Sequence, residues 1–93
     1  MRYQNLLASL QEFGTGRMTV HGHSMEPIIE NGANLTYEVA DEYKVGDIVF
    51  CKVRGRWIDA HKITKIDGDR YLIANNHGHE NGWTRRIFAK VIL

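Results

Sequence analysis

The chain has 93 residues, 43% of them hydrophobic and 25% charged, the composition of one small globular domain with an economical core. Its 12 Lys and Arg against 11 Asp and Glu leave a formal charge of +1, so no strong field points to nucleic acid or a membrane surface. A single cysteine, Cys51, excludes an intramolecular disulfide, and no apolar run approaches the ~20 residues that span a bilayer, so a soluble, cytoplasmic protein with no membrane anchor is expected.

Tyr3, Leu6, Leu7, Leu10 and Phe13 fall at helical spacing and Gly14 comes next as a stop, which predicts an amphipathic helix over residues 2–13. Residues 1–15 thus form a helical segment ahead of one compact unit, 16–93. The helix's apolar stripe either covers the core or meets a partner, a second copy of the chain included. After it the period changes from helical to alternating. RMTVHG reads as a strand, MEPIIENG as a turn-rich loop and ANLTYEVA as a second strand. DIVFCKV is a β-branched run entered through Gly46-Asp47, with Cys51 as a small buried residue and Asp47 capping the turn. RG separates it from GRWIDAHKITKI, a hairpin signal, and RYLIANN and RRIFAKVIL complete about six strands. The expected fold is mainly β, a sandwich or partly closed barrel with one N-terminal helix.

Chemistry concentrates in HGHSMEP. Serine is a poor nucleophile until a base takes its proton and the backbone holds it exposed. Gly22 permits a sharp turn before Ser24, Pro27 stiffens the far side of that turn, and backbone N–H groups at such a turn can bind an oxyanion. His21 with His23, and His77 with His79, are spaced to share a face and could bind zinc, but no cysteine or carboxylate pattern accompanies them and no metal is expected. The simpler reading makes them polar turn residues.

GHSMEP, then VGDIVF, then DAHKITKI resembles the shared fold of LexA-type repressor peptidases and type I signal peptidases. In that superfamily a Gly-x-Ser-Met-x-Pro segment carries the nucleophile, a Gly-Asp-Ile-Val strand comes after it, and the base sits on the next strand. The resemblance runs from Val20 to the C-terminus and implies a coiled β-structure with Ser24 as nucleophile. Gly22, His23, Met25 and Pro27 would then line the bound substrate. LexA-type proteins use a lysine base and the endoplasmic-reticulum type of signal peptidase a histidine. Matching the motif places His61 rather than Lys62 at the base position. In an alternating strand Asp59, His61 and Ile63 share one face, Ile58, Ala60, Lys62 and Thr64 the other, so only one of His61 and Lys62 can face Ser24. Histidine also titrates near working pH, whereas a lysine base must be strongly desolvated.

The orienting acid of histidine-type signal peptidases lies after a Gly-Asp-Asn-Asn segment, here reduced to IANNHGHENGW, with Ala74 in place of the aspartate. Glu80 is the nearest acid in that region, Asp59 a competitor beside His61, and a bare Ser–His dyad a third possibility. The chain contains neither a helix-turn-helix pattern nor the Ala-Gly pair that LexA-type proteins cleave in themselves. The resemblance therefore implies a serine endopeptidase that acts in trans on a protein or peptide bound as an extended strand, with no cofactor. The alternative is a non-catalytic member of the fold that acts as a protein-binding regulator, through its cleft or its N-terminal helix.

Overall fold

The computed structural model describes residues 2–93 as one helix and one antiparallel sheet of seven strands. Helix α1 spans Arg2–Phe13, and the strands are β1 (Thr15–Thr19), β2 (Asn34–Glu38), β3 (Ile48–Val53), β4 (Arg56–Asp67), β5 (Arg70–Ala74), β6 (Glu80–Thr84) and β7 (Arg86–Ile92). Their order across the sheet is β1-β2-β7-β3-β4-β5-β6. The mainly β expectation holds, with one strand more than the sequence pattern predicts. That strand, β6, reads ENGWT and lies at the sheet edge, where one row of partners suffices and few residues need burial.

The helix forms and docks through Leu6 and Leu10, one turn apart and both buried, each contributing about 1.5–3 kcal/mol on removal from water. It ends where Gly14 takes a positive φ of 73° and its N–H donates to the Leu10 carbonyl at 2.9 Å, a left-handed cap that glycine adopts without strain. Close approach to β1 needs a second glycine. A Cβ on Gly16 would lie 2.8 Å from Leu6 Cδ1 and 3.1 Å from Ser9 Cβ. The apolar stripe covers the core through Leu6 and Leu10, with Tyr3 and Leu7 packed against it, as the first of its two expected roles has it, whereas Phe13 at its end is exposed. Among the described residues no helix is long and apolar enough to cross a membrane.

Strand β3 sits centrally between β7 and β4, and its residues feed two cores. Ile48 and Phe50 join Leu6, Leu10, Met18, Tyr37 and Ala60 on the helix side, while Val49, Cys51 and Val53 join Ile63 and Ile73 on the other. A strand buried on both faces explains the nearly unbroken apolar run DIVFCKV. Phe50 anchors the first core. Its ring centroid lies 5.6 Å from that of Trp57 and 5.1 Å from that of Phe88, and Tyr3 stacks on Trp57 at 5.0 Å. Burial pushes the Cys51 thiol up to about 12, which keeps it protonated and inert. Asp47 accepts from the Lys44 N–H at 2.9 Å and so caps its turn.

Strand β4 departs from period two. Val49 pairs with His61 but Cys51 pairs with Ile58, so Asp59 and Ala60 together stand opposite Phe50 in a β-bulge. A second bulge occurs in β6. Ile73 pairs with Gly82 and Ala74 with Glu80, which leaves Asn81 as the extra residue. Both irregularities matter for the site.

Candidate active site

Ser24 lies on the loop between β1 and β2, half-buried, and the loop is pinned from within. Met25 and Ile29 are buried in the helix-side core, and the Ile29 N–H donates to the Met25 carbonyl at 3.0 Å. At the loop's base the Val20 N–H donates to the Ala33 carbonyl and the Gly32 N–H to that of Val20, at 2.9 and 2.8 Å. Gly22 has φ 111°, a conformation that side chains strongly disfavour, and its N–H donates to Asn31 Oδ1 at 2.8 Å. From the other side the Asn76 N–H donates to the Ser24 carbonyl at 2.8 Å and its Nδ2 to the Glu26 carbonyl at 3.0 Å. Ser24 is thus held by its neighbours' backbone and not by its own side chain, which leaves the hydroxyl available.

That hydroxyl meets His61. Ser24 Oγ lies 3.0 Å from His61 Nε2, and His61 Nδ1 lies 2.7 Å from Asn81 Oδ1. With a carbonyl-type oxygen on the Nδ1 side, Nδ1 carries the proton and donates it to Asn81. Nε2 is left with a lone pair to accept from Ser24. Burial lowers the His61 pKa below the ordinary 6.5; the Asn81 hydrogen bond and the charge of Asp59 oppose this, and the charge of His79 adds to it. The imidazole is therefore neutral at neutral pH, the form a general base requires.

The structure places the expected residues unequally. Asp59 does not reach His61. The bulge rotates it away, and its carboxylate accepts from Tyr3 Oη at 2.6 Å and Arg2 Nη2 at 2.8 Å. The expected common face of Asp59 and His61 is corrected accordingly: Ile58, His61 and Ile63 lie on one side, Ala60 on the other. Glu80 is exposed, and the bulge in β6 turns its neighbour Asn81 to the imidazole instead. The third position is therefore an amide, not an acid. Lys62 occupies the face opposite His61, where its Nζ donates to Asn76 Oδ1 at 3.3 Å. No signal in the sequence singled out Asn81, because its segment carries no strand pattern and the residue is neutral.

A cavity of about 360 Å³ opens beside the pair, walled by Val20, His21, Gly22, Ser24 and Met25 on the loop side and by Trp57–His61 of β4 on the other. β5 joins β4 only from Lys62 onward, so the stretch 57–61 has β3 on one side and the cavity on the other. Of the expected substrate contacts, Gly22 and Met25 line the cavity. His23 and Pro27 do not: Pro27 is exposed, and the His23 ring turns to Glu26, Nδ1 to Oε1 2.8 Å. Of the remaining histidines, His21 lines this cavity and His77 braces the loop. His77 Nε2 donates to the His23 carbonyl at 3.0 Å, which ties the two His-Gly-His segments together. Among the described residues no three His, Cys, Asp or Glu side chains converge as a metal site.

A helix-backed, bulged antiparallel sheet that brings a loop serine to a histidine of β4 is the LexA and signal-peptidase class of fold. The model of the family described as Peptidase S24-like matches residues 5–91, helix and sheet together, and the chain belongs to that family. No curated relative matches it.

Proposed function

We propose that the protein is a serine endopeptidase in which Ser24 attacks a peptide carbonyl and His61 is the general base. The observation that carries this reading is the 3.0 Å approach of Ser24 Oγ to a His61 Nε2 whose other nitrogen is already engaged by Asn81. In the first step Oγ bonds to the substrate carbonyl carbon as its proton passes to Nε2. The carbonyl oxygen becomes an oxyanion, for which backbone N–H groups of the Ser24 turn are the donors at hand. Collapse of the intermediate breaks the C–N bond, and the proton on Nε2 goes to the leaving amine. Water then repeats the sequence on the acyl-enzyme with His61 again as base. Asn81 orients the imidazole throughout, without the charge an aspartate would add.

A peptide laid as a strand along the open edge of Trp57–His61 would bring its carbonyl to Ser24. The substrate is then a protein segment supplied in trans, in extended form. Reaction with a fluorophosphonate tests the reading directly: the wild type gains the phosphonyl mass on Ser24, and Ser24→Ala gains none and loses peptide hydrolysis by at least about 10³-fold. An unreactive Ser24 would leave the chain as a peptide-binding member of its family.

A further inference from the structure

Beyond Asn81 lies a second cavity of about 320 Å³. It shares Trp57 and Ile58 with the cavity beside Ser24, and its wall includes Asn81, the residue that holds His61. The two hollows therefore adjoin the same stretch of β4, the first at the Ser24–His61 pair and the second at Asn81. Around the second stand Arg54, Arg56 and His79, and no carboxylate lines it. The ion pairs among the described residues involve neither arginine, and neither makes a side-chain hydrogen bond there. In a chain whose charges nearly balance, this is a local excess of positive charge.

Arg54 occupies an unfavourable turn position. Val53 pairs with Arg56, and the two residues between them have φ 52° and 79°, the pattern of a type I′ hairpin. The first central position of that turn suits Asn, Asp or Gly; a residue with a longer side chain costs about 1 kcal/mol there. The residue is exposed, and its side chain passes close to β6. A Cβ built on Gly82 would be 3.5 Å from Arg54 Nε and 3.6 Å from Arg54 Cζ, ordinary contact distances that place the guanidinium beside β6 next to Asn81.

We propose that this hollow is a subsite for a carboxylate of the bound peptide, either an acidic side chain or a free chain end. It rests on the peptidase reading only for what brings the peptide to β4. A peptide strand along the Trp57–His61 edge extends naturally past Ile58 toward the hairpin, and a carboxylate carried there meets two guanidinium groups in reach of a forked contact. The site is open to solvent, so its role is discrimination between peptides more than raw affinity.

The test uses isotope-labelled Ser24→Ala protein, monitored by amide resonances during titration with blocked alanine pentapeptides in which one Glu, or one Gln, is walked through the positions. In the best register, the Glu peptide shifts the amides of Arg54–Arg56 and His79–Gly82 and saturates at about threefold to tenfold lower concentration than its Gln twin at low ionic strength. The gap closes as salt is added and disappears in Arg54→Gln/Arg56→Gln. An all-alanine peptide with a free C-terminus that gives the same shifts identifies the chain end as the source of the carboxylate. Equal response to Glu and Gln, no response to either, or a gap that survives the double substitution overturns the proposal. Fluorophosphonate labelling of the wild type keeps the two readings apart. An unreactive Ser24 with Glu-dependent shifts sinks the hydrolase and leaves the subsite, and a reactive Ser24 without those shifts does the reverse.

Discussion

The β1–β2–β7 side of the sheet and the β3–β4–β5–β6 side obey different rules. Thr15 to Thr19 pair with Glu38 to Asn34 without a slip, and Thr36 to Glu38 pair as evenly with Ile92 to Lys90. Every ladder from β3–β7 to β5–β6 contains a register shift. The regular side holds the helix and much of the core. The base and its orienting amide both come from the irregular side, at or next to an extra residue in each case. A regular strand presents its side chains in strict alternation, which suits a core but lets neighbouring residues point only to opposite faces. A bulge breaks that constraint and re-aims one side chain, at the expense of a ladder bond.

The widest contrast is between adjacent residues of β4. His61→Ala should lower kcat/KM by about 10³-fold or more, because no other base reaches Ser24, whereas Lys62→Ala should stay within about threefold. Steady-state hydrolysis of one peptide by both variants settles it, and equal losses would erase the distinction. Next comes packing behind the bulge. Phe50 faces both Asp59 and Ala60, so Phe50→Ala should cost about 3–5 kcal/mol in urea unfolding, against about 2 kcal/mol for Leu35→Ala on the regular side. A reversed order would mean that the bulged half tolerates collapse better than the even one.

Asn81→Ala should lower kcat by about tenfold to a hundredfold with KM nearly unchanged, since Asn81 positions the base and is not expected to bind substrate at the scissile bond. The pH profile adds a readout that a merely structural role would not move. Protonated His61 cannot accept a proton, and burial disfavours its charged form, so wild-type activity should rise with pH through a midpoint below 6.5. Asn81→Asp places a negative charge beside the ring, favours the imidazolium and should move that midpoint upward. The same sign governs stability: the unfolded chain takes up the proton more readily, so His61 lowers stability as pH falls below about 6.5 and has no such effect above it. An unmoved midpoint in Asn81→Asp would remove Asn81 from the site. Smallest of all is Asp59→Asn, which breaks a partly exposed pair with Arg2 and should change stability by about 1 kcal/mol or less and activity within a few-fold, as assays of both would record.

Much of this was legible in one dimension. The helix with Leu6 and Leu10 inward, the central run DIVFCKV and the hairpin at Arg54-Gly55 stem from period and turn residues, and the approach of His61 to Ser24 from the resemblance of three ordered motifs to a known family. Two errors share one origin. The assumption of even alternation put Asp59 beside His61, and it found no strand in ENGWT. Both fail where an extra residue enters the ladder, and nothing in the local composition marks an extra residue.

The sequence alone determined what needs only neighbours along the chain: the helix, six of the seven strands, the turns and the loop that carries Ser24. Tertiary structure alone decided which side chain completes the site. Asn81 reaches His61 because β5 holds β6 in a register one residue out of step, a consequence of pairing between strands that no single segment encodes. Likewise Arg54 and Asn81 line one hollow only because the β3–β4 hairpin comes to lie beside β6.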